Sequence, residues 1–228
     1  MKRELHWVNK KIKMSKLIDE VYDKIKTKTY TIPEGIIEYG ISKKKYPKEL
    51  IHYLRNMNDE DKMSFKKKCV NNTKKENLNV EKKHLNSSVS KLLYLMVWKQ
   101  GDLDKFDQIV EGLNSEQELT IAYSKKNKSF VFFQFGRHIM FNEPIVDQHS
   151  IRSFAALIQF KKIDIEAFQN RIIQFKDIKN SLLTNVHKEL IVEYVKWVQS
   201  ITMQRDEMDQ IDDLMYGLGK YLKTVKNI

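Results

Sequence analysis

The sequence predicts a mostly α-helical protein, a multi-helix bundle. Three observations lead there. Apolar residues recur at three- and four-residue spacings over long stretches, only 7 glycines and 3 prolines punctuate 228 residues, and the lone cysteine, Cys69, excludes a disulfide framework or a multi-cysteine metal site.

The elements follow in order. From Ile12 to Ile25, the residues Leu17, Ile18, Val21, Tyr22 and Ile25 share one helical face. Pro33-Glu34-Gly35 interrupts. Pro47 suits the first turn of a second helix, which carries Leu50, Ile51, Tyr53, Leu54 and Met57. Asn58-Asp59-Glu60-Asp61 reads as a cap and acidic first turn for a segment reaching Val70. The polar, Asn/Lys-rich stretch 71–86 reads as a linker. It divides a basic N-terminal helical region, 1–86, from a helical core, 87–228. Ser87 or Ser88 can cap Lys91–Trp98, which is apolar nearly all round, and Gly101 suits its stop. Asp102–Leu113 is amphipathic. Beyond it come helical segments at Ile151–Phe160, Ile165–Phe175, Leu190–Ile201 and Met208–Val225, the last opened by Asp206. Residues 119–135 stay open between a short β-hairpin, favoured by local aromatic and β-branched content, and a buried helix capped by Ser129 and ending near Gly136.

The net charge of +11 is unevenly placed. Residues 1–86 hold 22 Lys+Arg against 12 Asp+Glu, whereas residues 87–228 hold 19 against 18. Clusters such as Lys43-Lys44-Lys45 and Lys66-Lys67-Lys68 attract polyanions, nucleic acid first and an anionic membrane surface second. Lysine far outnumbers arginine, which favours loose phosphate attraction over bidentate base reading. No apolar run approaches the roughly 20 residues of a membrane span, and the start lacks the apolar core of a secretory signal. A cytoplasmic setting is expected. Oligomeric state is not legible.

Pro144-Ile145-Val146-Asp147-Gln148-His149-Ser150-Ile151-Arg152 carries the most chemistry. A β-branched run enters an aspartate just before an amphipathic segment, so Asp147 can cap a helix beginning at Gln148. His149 and Arg152, three apart, then share a face near that carboxylate. They can orient Asp147 or bind a phosphate, as can the N–H groups of the helix start.

The spacing Asp147-x-His149-x-x-Arg152 after a short apolar run resembles the catalytic-aspartate segment of the helix-hairpin-helix DNA glycosylases. Lys91–Leu103 and the closing Asp212–Tyr221, with Tyr216-Gly217 and Gly219-Lys220, are similar to helices of bacterial members. The resemblance spans 87–224 and implies a glycosylase-like bundle in which Asp147 faces the sugar of a flipped-out nucleotide. A carboxylate there stabilises the oxocarbenium-like state formed as the base leaves. It also implies DNA as the partner ahead of RNA, and no cofactor. Of the hairpin glycines only Gly136 has a counterpart, and Arg137 stands nearest the position of the Schiff-base lysine. The implied reaction is therefore monofunctional base release without a lyase step.

Two function classes stay open: a hydrolase releasing an altered or modified base, or a non-catalytic nucleic-acid-binding or protein-interaction module with the same helical fold. In the second, Asp147 is a cap worth about 1 kcal/mol. Nucleotide hydrolysis and dinucleotide binding lack their glycine cradles, and no Gly-x-Ser-x-Gly elbow occurs. His138, Glu143, Asp147 and His149 match no strong metal spacing. Glu118 with Lys125 or Lys126 is a degenerate nuclease pattern.

Overall fold

The computed structural model describes residues 2–37, 58, 60, 108–109, 111–113, 115, 118–124, 130–141, 143–165, 168, 175, 178 and 185–225. Among them every regular element is helical and no strand occurs. The helices are α1 (Lys2–Lys26), α2 (Glu34–Ile37), α3 (Leu119–Ser124), α4 (Phe130–Phe141), α5 (Gln148–Gln159), α6 (Asn185–Ile201) and α7 (Arg205–Thr224). They belong to two compact units, one formed by Met1–Tyr46 with Pro144–Ile228 and the other by Pro47–Glu143. The helix expected after Pro47, the one at Lys91–Trp98, the linker 71–86 and most of the segments at 58–70 and Ile165–Phe175 lie outside the described residues. No helix among the described residues is long and apolar enough to cross a membrane.

In the first unit α5 and α7 share the most extensive contact, with α1 and α6 packed on both and α2 on α7. The expected stripe of α1 is buried at Leu17, Ile18, Val21 and Ile25, joined by Met14. Full burial of such side chains contributes about 1.5–3 kcal/mol each. Ile151, Phe154 and Leu157 of α5 meet a core that includes Leu190, Tyr194 and Val198 of α6 and Ile211, Leu214, Met215 and Leu218 of α7. Phe154 stands edge-on to Tyr194, with ring centroids 5.4 Å apart.

Helices α1 and α5 stop by the same device, and neither uses glycine. After α1, Lys28 takes a left-handed φ of 55°, its N–H donates to Ile25 O at 3.2 Å, and Thr29 N–H donates to Lys24 O at 3.0 Å. After α5, Lys161 has φ 56°, its N–H donates to Ile158 O at 2.9 Å, and Lys162 N–H donates to Leu157 O at 2.8 Å. Each is a Schellman ending that satisfies the last carbonyls. Helix α7 begins at Arg205, one residue ahead of the expected opener Asp206, and its N-cap Gln204 makes no side-chain cap bond. Glu207 serves instead, accepting Met203 N–H at 2.8 Å and the Lys28 ammonium at 2.9 Å.

In the second unit the hairpin alternative at 119–135 is replaced by helices α3 and α4. The buried positions of α4 include Phe130, Phe133, Gln134, Arg137 and His138, a helical spacing of i, i+3, i+4, i+7 and i+8. Three of these five are polar, so the stripe is not visible in hydrophobicity alone. Nor does the helix end near Gly136. A side chain there would stand 2.8 Å from Leu113 N and 2.9 Å from Gly112 Cα, so Gly136 is the crossing point of α4 over the helical residues near 112.

Candidate functional site around Asp147

The extended approach to α5 is buried at Pro144, Ile145 and Val146. It is pinned from the side by Asp212 of α7, whose Oδ2 accepts Ile145 N–H at 2.9 Å. The other oxygen of Asp212 accepts the hydroxyl of Tyr194 at 2.9 Å. Burial first, and the Asp212 charge after it, push the Tyr194 phenol well above its ordinary range. Tyr194 thus stays a donor, which suits its bond to a carboxylate.

Asp147 follows with extended dihedrals, φ −141° and ψ 176°, as the N-cap of α5. Its Oδ1 accepts His149 N–H at 2.7 Å and Ser150 N–H at 2.9 Å. In return Ser150 Oγ accepts Asp147 N–H at 2.9 Å and its hydroxyl lies 3.0 Å from Asp147 O. This closes a capping box with serine in the place usually held by glutamate or glutamine. Helix α5 begins at Gln148 as the sequence predicts, and Asp147 is half-buried rather than sealed.

Arg152 and His149 turn inward. Arg152 is 1% exposed and His149 8%. The Arg152 guanidinium donates from Nη1 to Gly219 O at 3.1 Å and from Nη2 to Ile178 O. The same Nη1 lies 3.1 Å from His149 Nδ1. Instead of presenting phosphate ligands at the surface, the pair ties α5 to α7 beneath the Asp147 turn. The His149 ring stands edge-on to Tyr216 with centroids 5.1 Å apart, and Lys220 Nζ lies 5.0 Å from the centre of that Tyr216 ring. The close approach depends on Gly219, where a side chain would overlap the His149 carbonyl and stand 2.7 Å from its Cα. Burial above all holds the His149 imidazole below its ordinary value; Asp147 opposes this and the Arg152 charge reinforces it.

Arg137, the other arginine singled out by sequence, belongs to a separate buried network in the second unit. Its Nε donates to Glu143 Oε1 at 3.1 Å and Oε2 at 2.9 Å, Nη2 donates to Oε1 at 2.5 Å, and Nη1 donates to Ser115 O at 2.8 Å. Gln134 Nε2 donates to Glu143 Oε2 at 2.8 Å, and Tyr123 OH donates to Gln134 Oε1 at 2.8 Å. His138 Nδ1 meets Glu143 O at 2.6 Å, and because a carbonyl only accepts, Nδ1 carries the proton. Burial first, then the Glu143 charge, raise the Tyr123 phenol well above its ordinary range. Glu118 caps the start of α3, accepting Thr120 N–H at 3.2 Å and its hydroxyl at 2.9 Å.

Lys43, Lys44, Lys45, Lys66, Lys67 and Lys68 lie outside the described residues, as do Lys125 and Lys126. Among the described residues no group of three His, Cys, Asp or Glu side chains is placed to hold a metal ion. The structure adds three site residues that sequence reading missed: Ser150, Asp212 and Tyr194. Ser150 was findable, because a serine three residues after an N-cap aspartate can return the capping bond. Asp212 and Tyr194 meet Asp147's approach only through tertiary packing. No family model, no curated protein and no solved structure matches the chain.

Proposed function

We propose that the chain is a DNA-binding, monofunctional glycosylase-like hydrolase that releases an altered or modified base, with Asp147 as the carboxylate facing the sugar. The observation that supports this reading most is the state of Asp147. It is half-buried at the start of a twelve-residue helix, its Oδ1 is fixed by two backbone N–H groups, and the turn is braced below by Arg152. A pre-positioned carboxylate of this kind stabilises positive charge developing on a sugar without reorganising. Exposed Lys11, Lys13 and Lys16 on α1, with Lys26 at its end, add to the lysine clusters at 43–45 and 66–68 as phosphate contacts. We place this activity in the cytoplasm, with DNA favoured over RNA and no cofactor required.

A second reading, a non-catalytic nucleic-acid-binding module, draws on the capping box itself, which accounts for Asp147 and Ser150 without any substrate. Screening damaged and phage-modified duplexes for abasic-site formation separates the two. Asp147→Asn keeps the size and capping ability of the residue and removes its charge. Base release is expected to fall roughly a hundredfold to a thousandfold while DNA binding persists and weakens steeply with salt. Undiminished release by the asparagine variant would leave Asp147 as a cap only. The absence of release on every duplex, with salt-sensitive binding retained, would favour the second reading.

A further inference from the structure

The contact between Arg152 Nη1 and His149 Nδ1, at 3.1 Å, fixes the protonation of the histidine by elimination. A guanidinium nitrogen offers only hydrogens, so Nδ1 must offer its lone pair, and the ring is neutral with its proton on Nε2. This is a bond that one proton destroys. Protonated Nδ1 has no lone pair, and two cations would then face each other at hydrogen-bond distance, with Arg152 1% and His149 8% exposed. Low local dielectric makes that repulsion far stronger than at a surface.

Burial, with the Arg152 and Lys223 charges, outweighs the two neighbours that favour the protonated ring, the Asp147 carboxylate and the Gly219 carbonyl. On α5 itself, Asp147 is the acidic group whose field reaches both side chains. Helix α7 contributes Tyr216 edge-on, Lys220 on that tyrosine, and Lys223, whose charge opposes protonation. Asp212 of α7 accepts from Tyr194 of α6 and from Ile145 N–H. On α1, Asp19 pairs with Lys162 beyond the far end of α5, and Asp23 acts on that same lysine. The His149 backbone is meanwhile seated against Gly219 with no room for a side chain between them.

We propose that His149 is an acid-released latch: taking up a proton on Nδ1 expels the Arg152 guanidinium and unseats the first turn of α5 from α7. The proton comes from solvent, and nothing else is exchanged. The turn that opens is the one whose N–H groups hold Asp147. The latch stands on this geometry alone; its consequence for base release rests on the reading of Asp147 given above.

The sign follows from linkage. Burial keeps the folded imidazole below its ordinary value near 6.5, so the opened turn binds the proton more readily. The closed turn is therefore fully stable above that value and loses stability as pH falls below it toward the folded value, by at most about tenfold in the opening constant per pH unit. Amide hydrogen exchange of His149 and Ser150, corrected for the intrinsic pH dependence, reads this in the full chain between about pH 7.5 and 5. Wild type is expected to open progressively below about pH 6.5, whereas His149→Gln, which can still accept from Arg152 but cannot titrate, is expected to show no such rise. An equal rise in the variant, or none in wild type, would overturn the latch. If the glutamine variant does not fold, nitrogen-15 spectra of the wild-type imidazole decide instead. A proton on Nε2 with a midpoint below 6.5 supports the latch, and a proton on Nδ1 or a midpoint at or above 6.5 refutes it. None of these measurements requires base release, so the latch and the catalytic reading can fail separately.

Discussion

Two glycines stand two residues apart inside α7, and alanine at each is expected to act with opposite sign. Alanine is favoured over glycine in a helix interior by about 0.8–1 kcal/mol, and both substitutions collect that gain. At Gly217 the nearest obstacles are side-chain ends, Ile36 Cγ2 at 3.3 Å and then Ile32 Cγ2 and Ile36 Cδ1 at 3.9 Å. They can give by a few tenths of an ångström, so Gly217→Ala is expected to be neutral to about 1 kcal/mol stabilising. At Gly219 the obstacle is the His149 backbone, with its carbonyl carbon 2.5 Å and its Cα 2.7 Å from the added carbon. Backbone within a helix cannot rotate aside, so α5 must move off α7. Overpacking of this kind costs about 1–3 kcal/mol. The same shift stretches the 3.1 Å bond from buried Arg152 to Gly219 O, and a hydrogen bond to a charged group contributes about 1.5–3 kcal/mol. After the propensity gain, Gly219→Ala should lose about 1.5–5 kcal/mol. For a chain of this size that is a fall in Tm on the order of 10 °C. Thermal and urea unfolding of both variants beside wild type measures it. A Gly219→Ala protein as stable as wild type, or one less affected than Gly217→Ala, would refute the packing argument.

Breaking the buried pair in the second unit by Arg137→Met leaves the Glu143 charge without its cation, with only Gln134 donating to its carboxylate, and should cost about 3–5 kcal/mol in chemical denaturation. Arg137→Met combined with Glu143→Met should recover most of that loss. Lys161→Gly relieves a left-handed residue after α5 and should stabilise by about 0.5–1 kcal/mol, seen as a rise in Tm without change in the helical circular dichroism signal.

The helical class, the start of α5 and the role of Asp147 as its cap were legible because each depends on near neighbours in the chain. Apolar spacing marked the buried face of α1, and an extended run entering an aspartate marked the cap. Where tertiary packing decides, the sequence misled. Helix α4 buries Gln134, Arg137 and His138 beside its phenylalanines, so its stripe is polar in part and reads locally as strand. Gly136 has the look of a stop and is a crossing point instead, while the true stops after α1 and α5 carry lysines that signal nothing locally. His149 and Arg152 share a face as expected, but that face is the one turned toward Gly219. Their burial depends on a glycine 67 residues beyond Arg152, and no short motif announces it.

The division of the chain has a consequence for how it is made. The first unit takes its helices from both sides of an inserted second unit, and Lys28 meets Glu207 across 179 residues. At synthesis rates of about 5–20 residues per second, α1 leaves the ribosome roughly 10–40 seconds before α7 exists to receive it. For that interval Met14, Leu17, Ile18, Val21 and Ile25 lack α7, the helix α1 meets most extensively, and α5, made in between, can cover part of them. Closing so long a span is slow, and its entropic cost grows only logarithmically with length. Nascent chains should therefore pass through a stage in which the leading helix, still without α7, remains a target for chaperones.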